Sequence, residues 1–284
     1  MITLDSVNQK LSSAGISPEL NRKWQALLQQ LSSFESVAIA YSGGVDSSFL
    51  AYAAALVLDQ QAVAVTINSS IEPSDVIERA REFTHENDIR HEFITYDPLL
   101  NPNFRDNPVD RCYHCKTAIL HMIWKYARDH QIKTVLEGQN ADDGGDYRPG
   151  RKAVRETGTF SPLAEQSLSK DEIRWIAKTL GLPIWDQPSS PCLASRVPYG
   201  MQITREALQK IAAGEHFLHE KGFRTVRVRY HKDLARIEVP PEQIPSVLEI
   251  HQEVTERFKQ LGFLYVTVDL QGFRSGSLNE GIAQ

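Results

Sequence analysis

The chain has 284 residues, of which 41% are hydrophobic and 24% charged, and its formal net charge is -5 at pH 7. This composition is typical of a soluble globular protein and is enough for one large or two modest domains. No apolar run approaches the roughly 20 residues of a membrane-spanning helix, and the N-terminus lacks a basic, then apolar, secretory leader. We therefore expect a cytoplasmic protein without a membrane partner. The acidic balance also argues against a nucleic-acid partner.

Strands and helices are predicted to alternate through the first part of the chain. Apolar runs typical of buried parallel strands lie at 36–41, 62–67, 91–96 and 134–138. Helical patterns lie at 17–31, 49–58, 73–87, 111–130 and 169–180. A short fifth strand is predicted at 160–163. This order predicts an α/β fold with a doubly wound parallel sheet, in which ligands bind beyond the carboxyl ends of the strands.

The pattern changes after Gly200, where we place a domain boundary between residues 1–200 and 201–284. Residues of alternating polarity predict three strands, at 225–230, 235–239 and 265–270, the first two forming a hairpin. Helical patterns lie at 204–219 and 245–261. The second domain is therefore predicted to be a smaller α+β domain with a mostly antiparallel sheet.

A Ser-Gly-Gly-Val-Asp-Ser sequence, residues 42–47, lies between the first predicted strand and the following helix. We call it the phosphate loop, because such a turn presents unpaired backbone N–H groups at the positive end of a helix. Gly43 and Gly44 lack a Cβ and let a phosphate approach, while Ser42 and Ser47 add hydroxyl donors. Asp46 can cap the helix or hold Mg2+ on the phosphates.

The phosphate loop is not a Walker loop, because no Gly-Lys-Ser/Thr follows its glycines. It resembles instead the pyrophosphate loop of the PP-loop ATP pyrophosphatases. That resemblance implies binding of ATP with Mg2+ and its cleavage to AMP and pyrophosphate, with adenylation of a substrate. The simpler alternative is an ordinary Ser/Gly turn between a strand and a helix.

Three cysteines are the other chemical signal in the sequence. Cys112 and Cys115 are three positions apart at the predicted N-terminus of a helix, where they share a face and thiolates are stabilised. Cys192 lies in a stretch rich in proline and serine, 187–200. The spacing leaves three sites open: structural zinc with a fourth ligand, a redox pair without Cys192, or a 4Fe-4S cluster with one open iron.

Five separated motifs, in the same order, resemble the LarE family of ATP-dependent sulfur transferases across nearly the whole chain. They are Ser42–Ser47, Asp146–Gly150, Ser195–Gly200, Thr225–Arg229 and Gly272–Gly276. The resemblance implies a PP-loop ATP pyrophosphatase domain of the adenine nucleotide alpha hydrolase-like fold, a small C-terminal domain, and a homo-oligomer, a trimer or hexamer. The implied substrate is pyridinium-3,5-biscarboxylic acid mononucleotide, a precursor of the nickel-pincer nucleotide cofactor. ATP adenylates its carboxylate, and sulfur from sulfide or another donor then displaces AMP.

The cysteines depart from one branch of this family and resemble another. Members that sacrifice their own cysteine carry it in a Ser-Cys-Ser-x-Ser-Ser-Arg stretch, and the aligned position here is Pro191. Cys112, Cys115 and Cys192 resemble the members in which three cysteines hold a 4Fe-4S cluster. The resemblance therefore implies repeated sulfur transfer from the open iron of a cluster.

The resemblance also assigns roles to charged residues in the second domain. It implies that Arg227, Arg229 and Arg274 bind the substrate phosphate, with Arg196 as a further candidate and Glu215 as an acid near the active site. Arg227 and Arg229 lie two apart on a strand and share a face, and arginine binds phosphate with two parallel hydrogen bonds. Without the resemblance, the arginines would be interpreted as solvated and Glu215 as exposed on a polar helix.

Two other functions stay open at this point. One is a cluster-dependent tRNA thiolase of the PP-loop superfamily, against which the net charge of -5 and the lack of an evident RNA-binding module argue. The other is a non-catalytic nucleotide-binding regulator whose cluster senses redox state. Release of pyrophosphate that depends on a small carboxylate would exclude the regulator.

Overall fold

The computed structural model describes residues 3–145, 150–188, 190–274 and 276–279. The chain divides into two compact units. The first contains Met1–Asn68, Ser74–Tyr96 and Cys112–Ser190, and the second contains Ser69–Pro73, Asp97–Arg111 and Pro191–Gln284. The second unit thus also includes two short segments from the first half of the chain. The two domains expected on either side of Gly200 stay a prediction.

Helices alternate with strands in the middle of the first unit, and the second unit also contains both. The helices are α1 (Leu4–Ser13), α2 (Pro18–Ser32), α3 (Val45–Leu58), α4 (Ser74–Glu86), α5 (Pro102–Arg105), α6 (Arg111–Asp129), α7 (Gly150–Thr157), α8 (Pro162–Glu165), α9 (Lys170–Leu180), α10 (Arg205–Glu220), α11 (Ile244–Glu249) and α12 (His251–Gln260). The strands are β1 (Val37–Ala40), β2 (Ala62–Asn68), β3 (Arg90–Thr95), β4 (Thr134–Glu137), β5 (Arg227–His231), β6 (Leu234–Glu238) and β7 (Tyr265–Val268).

The sheet of the first unit has the strand order β3-β2-β1-β4, and all of its pairings are parallel. Alternate residues of β1 enter different cores: Val37 and Ile39 pack with α2, α3 and α9, whereas Ala38 packs with α6. Helices therefore cover both faces of the sheet, as in a doubly wound fold. The prediction of an α/β fold with a parallel sheet is confirmed.

The predicted fifth strand at 160–163 is wrong. Phe160 forms a single parallel bridge with Leu136, and Pro162 then begins α8. Proline has no backbone N–H for a strand ladder but is favoured at the first position of a helix, where that N–H is not needed. The apolar run therefore ends the sheet and starts a helix.

The second unit has a three-stranded sheet with the order β5-β6-β7. The hairpin β5–β6 is antiparallel, as predicted, but β7 is parallel to β6, because α11 and α12 carry the chain back to the same end of the sheet. One face of this sheet is apolar and packs in the core of the unit, with Val228, Ala235 and Ile237 against Phe258. The α+β class is confirmed, with a mixed sheet. Within the described part of the chain, no helix is both long and apolar enough to span a membrane.

Candidate functional site

The phosphate loop follows β1 at the carboxyl end of the parallel sheet. Gly43 has φ +72, and a Cβ at this position would lie 2.9 Å from the Cβ of Ala80, so both the backbone and the space require glycine. Gly44 is the N-cap residue of α3 and has no side chain to cap that helix. The first N–H groups of α3 are thus left to a ligand, as phosphate binding at a helix N-terminus requires.

Hydrogen bonds within the phosphate loop fix its shape. The Ser47 hydroxyl lies 3.0 Å from the Ser42 hydroxyl, donates to the Gly44 carbonyl at 3.2 Å and accepts from the Ser42 N–H at 3.2 Å. The loop after β4 presses against this turn, because a Cβ on Gly138 would lie 2.9 Å from the Ser47 nitrogen. The two serines predicted to contact phosphate therefore also hold the loop together.

Asp46, the second residue of α3, combines an ion pair with an oxygen that has no donor. Its Oδ2 lies 2.6 Å from Nζ of Lys170 at the start of α9. Its Oδ1 is shielded from solvent and accepts no hydrogen bond from the residues that the structure describes. A carboxylate oxygen of this kind beside a phosphate site fits Mg2+, which prefers oxygen ligands. Lys170 was not anticipated, because nothing local in its sequence links it to a loop 124 residues away.

A buried polar network supports the residue that precedes the phosphate loop. The Tyr41 carbonyl accepts a hydrogen bond from the Thr66 hydroxyl at 2.9 Å. Nε2 of His91 lies 2.8 Å from that hydroxyl, and Nδ1 lies 2.8 Å from the hydroxyl of Thr84. Burial, together with the nearby positive charge of Arg81, lowers the pKa of His91 to about 4. The ring is therefore neutral at physiological pH.

The loop after β4 carries acidic residues that cap backbone groups. Asp142 accepts a hydrogen bond from the Lys170 N–H at 2.7 Å, and Asp143 accepts one from the Asn140 N–H at 3.1 Å. These acids therefore order the start of α9 and their own turn. Of the motif Asp146–Gly150, Gly150 begins α7 and the other residues lie outside the described part of the chain.

Cys112 and Cys115 lie one helical turn apart at the start of α6, as predicted, in the first unit. Cys112 is exposed and Cys115 is buried. The next residue, Lys116, places Nζ 3.0 Å from Oε2 of Glu137, which is 1% exposed at the end of β4. This ion pair joins the cysteine-bearing turn to the same carboxyl edge of the sheet from which the phosphate loop departs.

Cys192 belongs to the second unit and immediately precedes a short helical turn, Leu193–Arg196. We call residues 192–196 the Cys192 turn. The Leu193 N–H donates to the Ile71 carbonyl at 2.8 Å, and Nη1 of Arg196 donates to the carbonyls of Pro191 and Cys192 at 2.5 and 3.0 Å. Among the described residues, no group of three or more His, Cys, Asp or Glu side chains is arranged to hold a metal ion. The three-cysteine site therefore stays a prediction from the sequence.

Arg196 and Glu215 form a buried ion pair with two parallel hydrogen bonds. Nε and Nη2 of Arg196 donate to the two Glu215 oxygens at 2.9 and 2.7 Å, and Arg196 is 1% exposed. Glu215 also accepts the Val228 N–H at 2.9 Å. The interpretation of Glu215 as an exposed helical residue is thus wrong. The fork of Arg196 is already bound to Glu215, so both residues hold the Cys192 turn.

The polar side of the second sheet, which we call the arginine face, carries Arg227, Arg229, Arg236 and Glu238. Arg227 and Arg229 share this side, as predicted, but both are buried, so the interpretation as solvated arginines is wrong. Arg229 donates to the Ser195 carbonyl at 2.8 Å and to Glu238 at 2.7 Å, and Glu238 also accepts from Arg236 at 3.1 Å. Strand alternation revealed the common face but not what covers it.

The residues predicted to bind the substrate phosphate also include Arg227 and Arg274. Burial lowers the pKa of Arg227 to about 10, with Arg196 acting in the same direction, and its guanidinium lies 5.3 Å from the Phe273 ring centroid. It therefore keeps its positive charge at neutral pH. Arg274 donates to the Gly272 carbonyl at 3.2 Å and lies 4.0 Å from Asp269. All of these residues belong to the second unit.

Glu72 is an acid of the second unit that the sequence did not single out. Burial raises the pKa of Glu72 to about 7, although the positive charge of Arg196 acts to lower it. Its neighbour Ile71 accepts the hydrogen bond from the Cys192 turn. Glu72 follows a strand in a polar loop, and no pattern there distinguishes it from a solvated acid.

Comparison with known proteins places the chain among nucleotide-using enzymes. The sequence model of the asparagine synthase family matches residues 24–257. A pyridinium-3,5-bisthiocarboxylic acid mononucleotide synthase from Lactiplantibacillus plantarum is 35% identical over 266 residues, 93% of this chain and 96% of that protein. An uncharacterized protein from Synechocystis sp. is 44% identical over 263 residues, 92% and 98% of the two chains. An uncharacterized protein from Methanocaldococcus jannaschii is 29% identical over 243 residues, 85% and 92% of the two chains.

Proposed function

The chain belongs to the LarE family of PP-loop, ATP-using enzymes, and we propose from that premise that it is an ATP-dependent sulfur transferase. The proposed substrate is pyridinium-3,5-biscarboxylic acid mononucleotide, which becomes a thiocarboxylate on the way to a nickel-pincer nucleotide. The match to the synthase from L. plantarum, over 93% of this chain, carries the proposal. The phosphate loop at the carboxyl edge of the parallel sheet supports it independently.

The first proposed step adenylates the substrate. A carboxylate oxygen attacks the α-phosphorus of ATP, the bond between the α-phosphorus and its bridging oxygen breaks, and pyrophosphate leaves. The N–H groups at the start of α3 would bind the phosphates, and Gly43 and Gly44 would allow their close approach. Mg2+, held by Asp46, would neutralise phosphate charge. A carboxylate resists nucleophiles until its oxygen is part of a good leaving group, which the adenylate supplies.

The second proposed step transfers sulfur to the activated carbonyl carbon, whose bond to the AMP oxygen breaks. We assign the substrate phosphate to Arg227, Arg229 and Arg274, because guanidinium groups bind phosphate with two parallel hydrogen bonds. We assign Arg196 and Glu215 to positioning, because their ion pair fixes the backbone on both sides of Cys192. In this proposal the arginine face orients the substrate through its phosphate.

The proposed sulfur source is a 4Fe-4S cluster bound by Cys112, Cys115 and Cys192. When bound, such a cluster supplies an open iron that can hold sulfide. The donor set supports this choice, because two of the thiols lie one helical turn apart and proline occupies the sacrificial position, Pro191. Zinc on the same thiols is the alternative.

Anaerobic purification and one turnover assay test the proposal. We expect about four irons and matching sulfide per chain. With ATP, the pyridinium substrate and sulfide, we expect pyrophosphate release and a mass gain equal to replacement of oxygen by sulfur. Pyrophosphate release without the pyridinium substrate, or no sulfur in the product, would overturn the proposed function. A colourless protein that holds one zinc would overturn the cluster alone.

Substitution of a cysteine separates sulfur delivery from adenylation. Cys192→Ala should abolish repeated sulfur transfer and leave ATP binding intact. The nearby Ser190→Ala serves as a control and should change neither property.

The predicted cytoplasmic location and trimer or hexamer stay predictions. Strong, salt-sensitive binding of tRNA would favour the thiolase instead.

A further inference from the structure

The strand β7 forms one edge of the second sheet, and its outer side pairs with no strand in the described part of the chain. The stretch 264–270, which reads LYVTVDL, contains none of the lysines or prolines that commonly protect an exposed edge. Leu264 and Tyr265 are each 64% exposed, and Leu270 is 85% exposed. An unprotected edge with exposed leucines at both ends is a surface on which another strand can pair.

The residues around β7 form a palindrome of polarity centred on Thr267. Valines lie one position away on either side, Tyr265 and Asp269 lie two positions away, and leucines lie three positions away. Two copies of this segment can therefore run antiparallel about a two-fold axis through Thr267. Each leucine then lies opposite the other leucine of the second copy, and each valine lies opposite the other valine.

The free backbone groups of β7 have the same symmetry. The N–H groups of Tyr265 and Asp269 donate to carbonyls of the β5–β6 hairpin at 3.0 and 2.9 Å. Because backbone direction alternates along a strand, Val266 and Val268 direct their N–H and C=O groups to the open edge. In the two-fold arrangement these two valines are opposite one another, and residues so placed exchange both of their hydrogen bonds.

We propose that β7 is the edge through which two copies of this chain associate, with their sheets joined by an antiparallel pair of β7 strands. Val266 and Val268 already pack against the core of the second unit, so the pairing extends an apolar side that exists in each copy. Leu264 and Leu270, exposed in the single chain, cover one another at the two ends of the contact, which removes apolar surface from water. The hydroxyl of Tyr265 meets the carboxylate of Asp269 from the second copy.

A two-fold contact also distinguishes between the oligomers that the sequence suggested. A hexamer with both three-fold and two-fold axes contains such a contact, whereas a closed trimer does not. The proposal therefore favours a hexamer over a trimer. It is independent of the proposed function, because neither ATP nor sulfur enters the argument.

A cysteine placed on the axis tests the pairing. Thr267 is exposed, and the two copies of its Cα would lie about 4.5 Å apart, within the roughly 4.4–6.8 Å that a disulfide spans. Thr267→Cys should therefore form a disulfide-linked dimer on mild oxidation, visible on a non-reducing gel. Tyr265→Cys is the matched control, because it is exposed on the same side of the strand but lies off the axis and should not link to itself. The unmodified chain, whose Cys112 is exposed, gives the background.

The molar mass in solution, measured by light scattering after gel filtration, provides a second test. We expect an even number of copies in the unmodified chain. Leu270→Lys should halve the mass, because it places an ammonium group against Leu264 of the second copy. Leu248→Lys, at a position of α11 that is 57% exposed, should leave the mass unchanged.

Several outcomes would overturn the proposal. One is the absence of a Thr267→Cys dimer, and another is equal cross-linking by Tyr265→Cys, which would indicate random collision. A trimer, an unchanged mass in Leu270→Lys or an equal effect of Leu248→Lys would do the same. A monomer would leave the edge for a strand of another protein and would also overturn the pairing of two copies. Because none of these measurements needs the pyridinium substrate, failure of sulfur transfer would leave their result standing.

Discussion

The phosphate loop of the first unit and the arginine face of the second both suit anions, but they are built in opposite ways. The loop uses glycines, backbone N–H groups and an Asp46 oxygen that accepts no hydrogen bond from described residues. The arginine face has its charges paired inside the protein, with Glu238 between Arg229 and Arg236. Removal of a charge in the loop should therefore mainly reduce ligand binding, whereas removal of a buried charge around the arginine face should also reduce stability.

The largest expected effect is on the buried ion pair beside the arginine face. Glu215→Ala leaves Arg196, which is 1% exposed, without its carboxylate. We expect the free energy of unfolding to fall by about 3–5 kcal/mol, because an uncompensated buried charge remains. Urea denaturation measures it. Glu220→Ala on the same helix, α10, is the control, because that side chain is 63% exposed. Equal effects of the two substitutions would contradict the comparison.

The next effect concerns the space around the phosphate loop. Gly43→Ala combines positive φ with a Cβ 2.9 Å from Ala80, and should lower the free energy of unfolding by about 2–3 kcal/mol. Gly158→Ala has a similar φ of +67 and nothing within 4 Å of its Cβ, so it should cost only about 1 kcal/mol. Thermal unfolding compares the two. A Gly158→Ala variant as unstable as Gly43→Ala would show that crowding at the loop is unimportant.

The pH dependence of stability should have opposite signs in the two units. The pKa of His91 is lowered to about 4 in the folded protein, so His91 favours the folded state at neutral pH and this contribution falls between about pH 6.5 and 4. The pKa of Glu72 is raised to about 7, so its contribution falls as pH rises from about 4.5 through 7. We expect about 1–2 kcal/mol from His91, a figure reduced for the partial exposure of the ring.

Two variants separate these contributions. His91→Asn should make the change of melting temperature from pH 5 to pH 7 more negative, because it removes a contribution to stability that rises with pH. Glu72→Gln should make that change more positive, because it removes a contribution to stability that falls as pH rises. Melting curves of both variants and the unmodified protein at the two pH values provide the measurement. Shifts of the same sign in both variants would refute the assignment.

The smallest effect on stability is expected at Asp46, whose carboxylate is assigned to ligand binding. Asp46→Asn should weaken binding of ATP with Mg2+ roughly tenfold, about 1.4 kcal/mol, because the carboxylate facing the cation is lost. The free energy of unfolding should change by less than about 1 kcal/mol, because the Asp46–Lys170 pair is partly exposed. Asp75→Asn, on an exposed residue of α4, should leave both quantities unchanged. A stability loss as large as that of Glu215→Ala would contradict the comparison.

Contiguous patterns predicted the fold and the phosphate loop, because both depend on neighbours in sequence. The strand runs, the glycines at 43 and 44 and the cysteines at the start of α6 lie where the sequence indicated. Contacts between distant segments were not predicted. The pairing of Lys170 with Asp46 and the burial of Glu215 depend on how elements pack, which local periodicity does not contain. The predicted strand at 160–163 failed because Pro162 favours a helix start.

The hydrogen bonds around His91 have a consequence for the residue next to the phosphate loop. A neutral imidazole carries one hydrogen and each threonine hydroxyl carries one, so three hydrogens serve five close contacts. If Nε2 carries the ring hydrogen, the Thr66 hydroxyl is left to hold the Tyr41 carbonyl. If Nδ1 carries it, Thr66 must donate to the ring and release that carbonyl. The tautomer of His91 thus determines whether Thr66 donates a hydrogen bond to the Tyr41 carbonyl, next to the phosphate loop.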